Sequence, residues 1–238
     1  MRLFSLLGLL LLAGCFSTNV TSQTVRGNGR ADTRTERADG VREVGLAIPG
    51  TLVIEVGRER DLRIEGDANI VEQIRVERRG DHLEIRAPRN VIFQPDRPLR
   101  LTLGVERLNG VSLAGSGRIE AAGVRAGGFD VSLAGSGTVR IRDLRAESVD
   151  VSIAGSGDVT LDGRTDGLDV SIAGSGNALL GNLAARDVDV SIAGSGDATV
   201  RAEARLAASI MGSGDVRYYG NPSIDRSVMG SGNIARAN

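Results

Sequence analysis

Residues Val149–Leu161 read VDVSIAGSGDVTL. Before the Gly-Ser-Gly, Val149, Val151 and Ile153 alternate with Asp150 and Ser152; after it, Val159 and Leu161 alternate with Asp158 and Thr160. A period of two means strands with one buried face. A glycine on each side of the serine lets the chain turn tightly, with φ > 0 at one of them.

The same unit recurs down the chain. Gly-Ser-Gly begins at Gly115, Gly135, Gly155, Gly174, Gly194, Gly212 and Gly230, in steps of 20, 20, 19, 20, 18 and 18 residues. Several connectors carry one further apolar residue: Val124, Leu144 and Leu183. Each repeat therefore reads strand, glycine corner, strand, connector. One repeat cannot bury its apolar side alone, whereas stacked copies can. At a strand spacing of about 4.8 Å, seven coils span roughly 30 Å. Stacking would align Val and Ile inward, and Ser112, Ser132, Ser152, Ser171, Ser191, Ser209 and Ser227 as an outward ladder. The competing architecture is an antiparallel sandwich or barrel with a hairpin at each Gly-Ser-Gly. Hairpins do not require near-identical flanks, so the repeats favour an all-β, parallel β-helix of about seven coils over residues 108–238.

Residues 41–107 read as a smaller β segment. Val44, Leu46 and Ile48 alternate, then Pro49-Gly50 turns the chain into Leu52, Ile54 and Val56. Leu62 and Ile64, Val76, Leu83 and Ile85, and Leu99 to Val105 continue the pattern, with one helical turn expected over 69–74. His82, the only histidine, follows the Gly80-Asp81 turn and reads as an exposed loop residue. Residues 16–40 are polar and aperiodic, which predicts a flexible tether.

The first fifteen residues, MRLFSLLGLLLLAGC, form a short signal peptide: Arg2, an apolar run from Leu3 to Leu12, and Leu12-Ala13-Gly14-Cys15. The run is too short to span a bilayer. The last four residues resemble the lipobox of bacterial lipoproteins, which implies acylation of Cys15, the only cysteine, and anchorage to a membrane. Two or three acyl chains anchor firmly, at about 0.8 kcal/mol per buried methylene. The inner-membrane retention signal of some bacteria is Asp after the lipidated Cys. Phe16 stands there, so the expected location is the cell envelope, at the outer membrane.

DVSIAGSGDV at this step, DVRYYGNPSIDRSVMGSGNI (Asp215–Ile234) and the upstream VIEVGRERDLRIEGDANIVEQIRVERRGDHLEI together resemble the head GIN domain family. Its members are bacterial envelope proteins described as auto-transporter adhesin heads. The resemblance runs from about Val41 to the C-terminus. It implies a right-handed β-helix beside a smaller β segment, and a surface role without an established activity.

Composition narrows the function. Among 238 residues are 33 Gly, 5 Pro, 3% aromatic residues and no Trp, so the core must be Val, Ile, Leu and Ala. The net charge is −1 and every basic residue is Arg. A nucleic-acid partner wants a basic face, so none is expected. The seven Gly-Ser-Gly serines do not match a nucleophile elbow, Gly-x-Ser-x-Gly, and the single His lies in another segment. No cofactor loop is recognisable. The residues after the turns, Arg118, Thr138, Asp158, Asn177, Asp197, Asp215 and Asn233, supply too few oxygens for calcium, so no metal is expected. Asp130, Asp150, Asp169 and Asp189 hold one place in four successive repeats and would form an acidic stripe, either a solvated face or a weak cation site. The expectation is a non-enzymatic envelope lipoprotein for adhesion, binding or scaffolding, with a glycan or protein ligand and possible homo-oligomers. A polysaccharide-active β-helix enzyme and a self-assembling scaffold are the alternatives.

Overall fold

The computed structural model describes residues 22–237. Cys15 and the 1–15 leader lie outside them. The chain is a β-solenoid in which each coil pairs in parallel with the next. Strand Arg125–Gly135 pairs with Thr138–Gly155, which pairs with Asp158–Gly174, then Asn177–Gly194, then Asp197–Gly212, then Ser223–Gly230. The register matches like with like: Val131, Val151, Val170 and Val190 stack, as do Leu133, Ile153, Ile172 and Ile192. All eight are buried. The seven corners from Gly115 to Gly230 bound six complete turns.

The corners are fixed by backbone contact. The first glycine of each has φ between 97° and 140°. The serine N–H donates to the carbonyl of the first glycine one coil below, as from Ser136 to Gly115 and from Ser156 to Gly135, both 2.9 Å. The residue after the corner adds a second stitch. Asp197 Oδ1 accepts the Asp215 N–H at 2.9 Å, Asp215 Oδ1 accepts the Asn233 N–H at 3.0 Å, and Asn177 Nδ2 donates to Asp158 Oδ1 at 2.8 Å. These side chains, weighed above as calcium ligands, are committed to the stack itself.

Coil order departs from chain order at the N-terminal end. Strands Glu43–Ala47 and Thr51–Val56 form a coil beneath Gly110–Gly115 and Arg118–Ala122. Beneath that lies a coil built from His82–Arg86 and Arg100–Val105. The Pro49-Gly50 turn occupies the corner position, its glycine carbonyl accepting the Arg118 N–H at 2.8 Å. The alternating residues of 41–107 thus continue the same core as the repeats. Antiparallel strands close this end: Arg75–Arg79 on His82–Arg86, Arg60–Asp67 on Arg100–Val105, and Ala31–Glu36 on Arg60–Asp67. The expected helical turn is Ala68–Val71, and the Arg34 guanidinium donates to the carbonyls of Val71 and Ile74, both 2.8 Å.

Two expectations need correction. Residues 23–36, assigned to a tether, form strands Gln23–Arg26 and Ala31–Glu36. The first pairs in parallel with Val91–Gln94. They lack apolar periodicity because they are held by main-chain pairing and by one buried carboxylate. Asp67, fully buried, accepts the N–H groups of Gly29, Asp96 and Arg97 at 2.9, 2.9 and 3.0 Å. His82 is not in a loop. It opens a strand and lies half-buried between Glu84, at 3.2 Å from Nε2, and Glu43, at 3.5 Å from Nδ1.

Candidate functional site

The strand entering each glycine corner turns one side to solvent, and its period-two pattern decides what appears there. Three rows run along the solenoid axis on this face. The serine ladder is continuous: Ser112, Ser132, Ser152, Ser171, Ser191, Ser209 and Ser227 are successive register partners. Beside it stand Ala114, Ala134, Ala154, Ala173 and Ala193, replaced by Met211 and Met229 in the last two coils.

On the other side is the acidic row. Asp130, Asp150, Asp169 and Asp189 are consecutive partners and all are exposed. The row is longer than the repeats suggest. It passes through Ala207 to Asp225 at one end, and through Gly110 to Glu43 and His82 at the other. Gly110 has no side chain, so Glu43 reaches across it toward Asp130. Partial burial, then the charges of Asp150 and Glu43, push the Asp130 carboxyl above the ordinary aspartate value. Partial burial, then Asp150 and Asp189, do the same to Asp169. The single-sign row adds to burial because Asp169 has like charges about 4.8 Å away on both sides, while Asp130 has Asp150 one coil away and Glu43 two coils away across Gly110.

The serines and alanines are short, so the face is sunken along its middle. One shallow groove of about 440 Å³ is bordered by Asp169, Ser171, Asp189, Ser191, Ser209 and Ser227. A second continues it between Ser132 and Ala193, and a third lies between Glu43, His82 and Ser132. They form an axial track of hydroxyls with a carboxylate edge. Among the described residues no three His, Cys, Asp or Glu side chains are grouped to hold a metal. The track offers hydrogen-bond acceptors and donors at a constant repeat, which suits recognition of an extended polar ligand. Sequence reasoning found the serine row and the four aspartates. It missed Glu43 and His82, which belong to segments whose coil position has no repeat signature, and Asp225, which stands two residues before Ser227 as Asp150 does before Ser152 but is cut off from the other aspartates by Ala207.

Comparison with known proteins agrees with this architecture. The crystal structure of a "putative adhesin" from Bacteroides fragilis superposes with a TM-score of 0.84 at 27% identity, covering 90% of this chain and all of the other. A "putative lipid binding protein" from Parabacteroides distasonis matches at 0.74 and 25% identity, over 91% of this chain and all of that one. A "putative adhesin" from Parabacteroides merdae, at 18% identity and 0.68 over 91% of this chain and all of that one, shares the fold. No curated protein matches the chain. The family model described as "Putative auto-transporter adhesin, head GIN domain" matches residues 42–222, so this chain belongs to the head GIN domain family.

Proposed function

We propose that this protein is a non-enzymatic lipoprotein of the cell envelope, anchored through Cys15, that binds a glycan along the serine track. The observation that carries the reading is the register. Seven serines occupy one row of an outward face, one per coil, and the adjacent row carries an acidic residue in five of those seven coils, with Gly110 and Ala207 in the other two. A polyhydroxylated chain laid along the axis meets a serine hydroxyl at every step and a carboxylate at most of them. The family's adhesin description and the B. fragilis neighbour support a binding role. The lipid-binding name of the P. distasonis neighbour supports the lipid as the competing ligand class.

Anchorage gives the track its direction. Gln23 follows Cys15 by eight residues and pairs at the closed end of the solenoid. Eight extended residues reach about 28 Å at most. Acylation of Cys15 would hold the closed end within that reach of the outer membrane, with the C-terminal coil at the other end of the solenoid. The test displays the full-length protein on vesicles and screens glycans and whole cells. Binding that is lost when Ser152 and Ser171 are replaced with Arg, with circular dichroism unchanged, supports the track. Glycan binding that survives those replacements places it elsewhere and rejects the proposal.

A further inference from the structure

One inward row can be followed from end to end through the register. It reads Arg78, Leu83, Val44, Val111, Val131, Val151, Val170, Val190, Ala208, Arg226. The eight residues between are apolar and buried. The row ends in arginine on both sides. Arg78 belongs to Arg75–Arg79 and Arg226 to Ser223–Gly230, and among the described residues each of these strands pairs on one edge only.

The two ends differ otherwise. The closed end presents RVERR, with charge at four of five positions. Among the described residues, the C-terminal coil Ser223–Gly230 pairs in parallel with Asp197–Gly212 on one edge and with no strand on the other. Ile224 and Val228, partners of buried Leu206 and Ile210, are 42% and 43% exposed. Met211 and Met229 stand exposed beside them. A long edge of this kind is a template for another strand. The strand best matched to it is the same coil of a second copy. Antiparallel pairing that keeps the inward side inward can be centred on residue 226. That register sets Ile224 opposite Val228 in both directions, and it sets Arg226 opposite the same residue of the second copy. Like charges directly opposite destabilise a strand pair. Head-to-tail stacking brings Arg226 onto the row ended by Arg78, again charge on charge.

We infer that Arg226 is a stop residue: its place in the inward row keeps the open C-terminal coil from pairing with the same coil of a second copy of this chain. Neutralising it converts the monomer into a closed two-fold dimer. The dimer stops there, because each chain then presents only its Arg78 end.

The experiment measures the protein mass of the full-length chain in nonionic detergent by light scattering, with circular dichroism to confirm folding. Wild type and Arg226→Lys are expected at monomer mass, and Arg226→Val and Arg226→Thr at twice that mass. Adding Val228→Asp to Arg226→Val restores a charge to an inward row and returns the monomer. A folded, monomeric Arg226→Val at the highest soluble concentration overturns the inference. A wild type that is dimeric until Val228→Asp is introduced overturns it equally. Growth of Arg226→Val into filaments overturns the two-fold closure.

Discussion

The corner glycines show how a single residue type is forced by stacking. Gly155 has φ +124°, and a Cβ there would lie 2.5 Å from the Gly135 carbonyl oxygen of the coil below. Backbone cannot retreat from it without breaking the corner hydrogen bonds. Gly155→Ala is therefore expected to destabilise by at least about 2 kcal/mol, from strain and collision together. Gly127 is the control, since a Cβ there meets nothing within 4 Å. Gly127→Ala should be neutral or stabilising by a few tenths of a kcal/mol, because it restricts only the unfolded chain. Denaturant midpoints of the two variants separate a positional requirement from a general taste for glycine. Charge on the outward face follows the same logic. The Asp130 and Asp169 carboxyls are raised, so their stabilising contribution is present below the unfolded aspartate pKa and is lost as pH rises through their folded values. At neutral pH the row is a cost. Asp150 faces both residues, so Asp150→Asn should raise the melting temperature at pH 7 by the equivalent of under about 1 kcal/mol. The gain should shrink in high salt and vanish below the pKa of the unfolded chain.

At the level of strands and corners, the repeat region could be read directly because sequence period and coil register coincide. Val151 announces its partners Val131 and Val170 by identity of context. The closed end could not be read this way. Glu43–Ala47 lies between His82–Arg86 and Gly110–Gly115, so neighbours in space are far apart in sequence and differ in composition. Alternation identified those strands without ordering them. Gln23–Arg26 and Ala31–Glu36 escaped altogether, because pairing and a single carboxylate replace an apolar face. Asp67 is that carboxylate. Its three backbone partners come from two separate loops, at 27–30 and 95–97. Asp67→Ala would remove three charge-assisted bonds that tie two exposed loops to a buried carboxylate, and should cost about 2 kcal/mol, since the freed N–H groups of Gly29, Asp96 and Arg97 can reach water. Proteolysis should then open the chain first near residues 26–30, while the repeat strands stay protected. Uniform susceptibility along the chain would show that Asp67 does not hold this end as a unit.

For the whole molecule, the solenoid makes position along the axis the main determinant of what a substitution does. Each coil touches only its neighbours, so a core residue is worth what the coils on both sides of it supply. Ile153 and Val228 occupy the same inward row and differ only in rank. Ile153 is 2% exposed with coils above and below, and Val228 is 43% exposed with a coil on one side. Placing Asp at Ile153 buries an unpaired charge and should destabilise by several kcal/mol. Placing Asp at Val228 leaves the charge at the open end, in water, and should cost less than about 1 kcal/mol. Amide exchange should follow the same gradient, slowest in coils around 131–192 and fastest in Ser223–Gly230 and Asn233–Arg236. Equal losses at the two positions would mean that the last coil is covered in solution, and that the exposed Ile224, Val228 and Met229 already meet a partner.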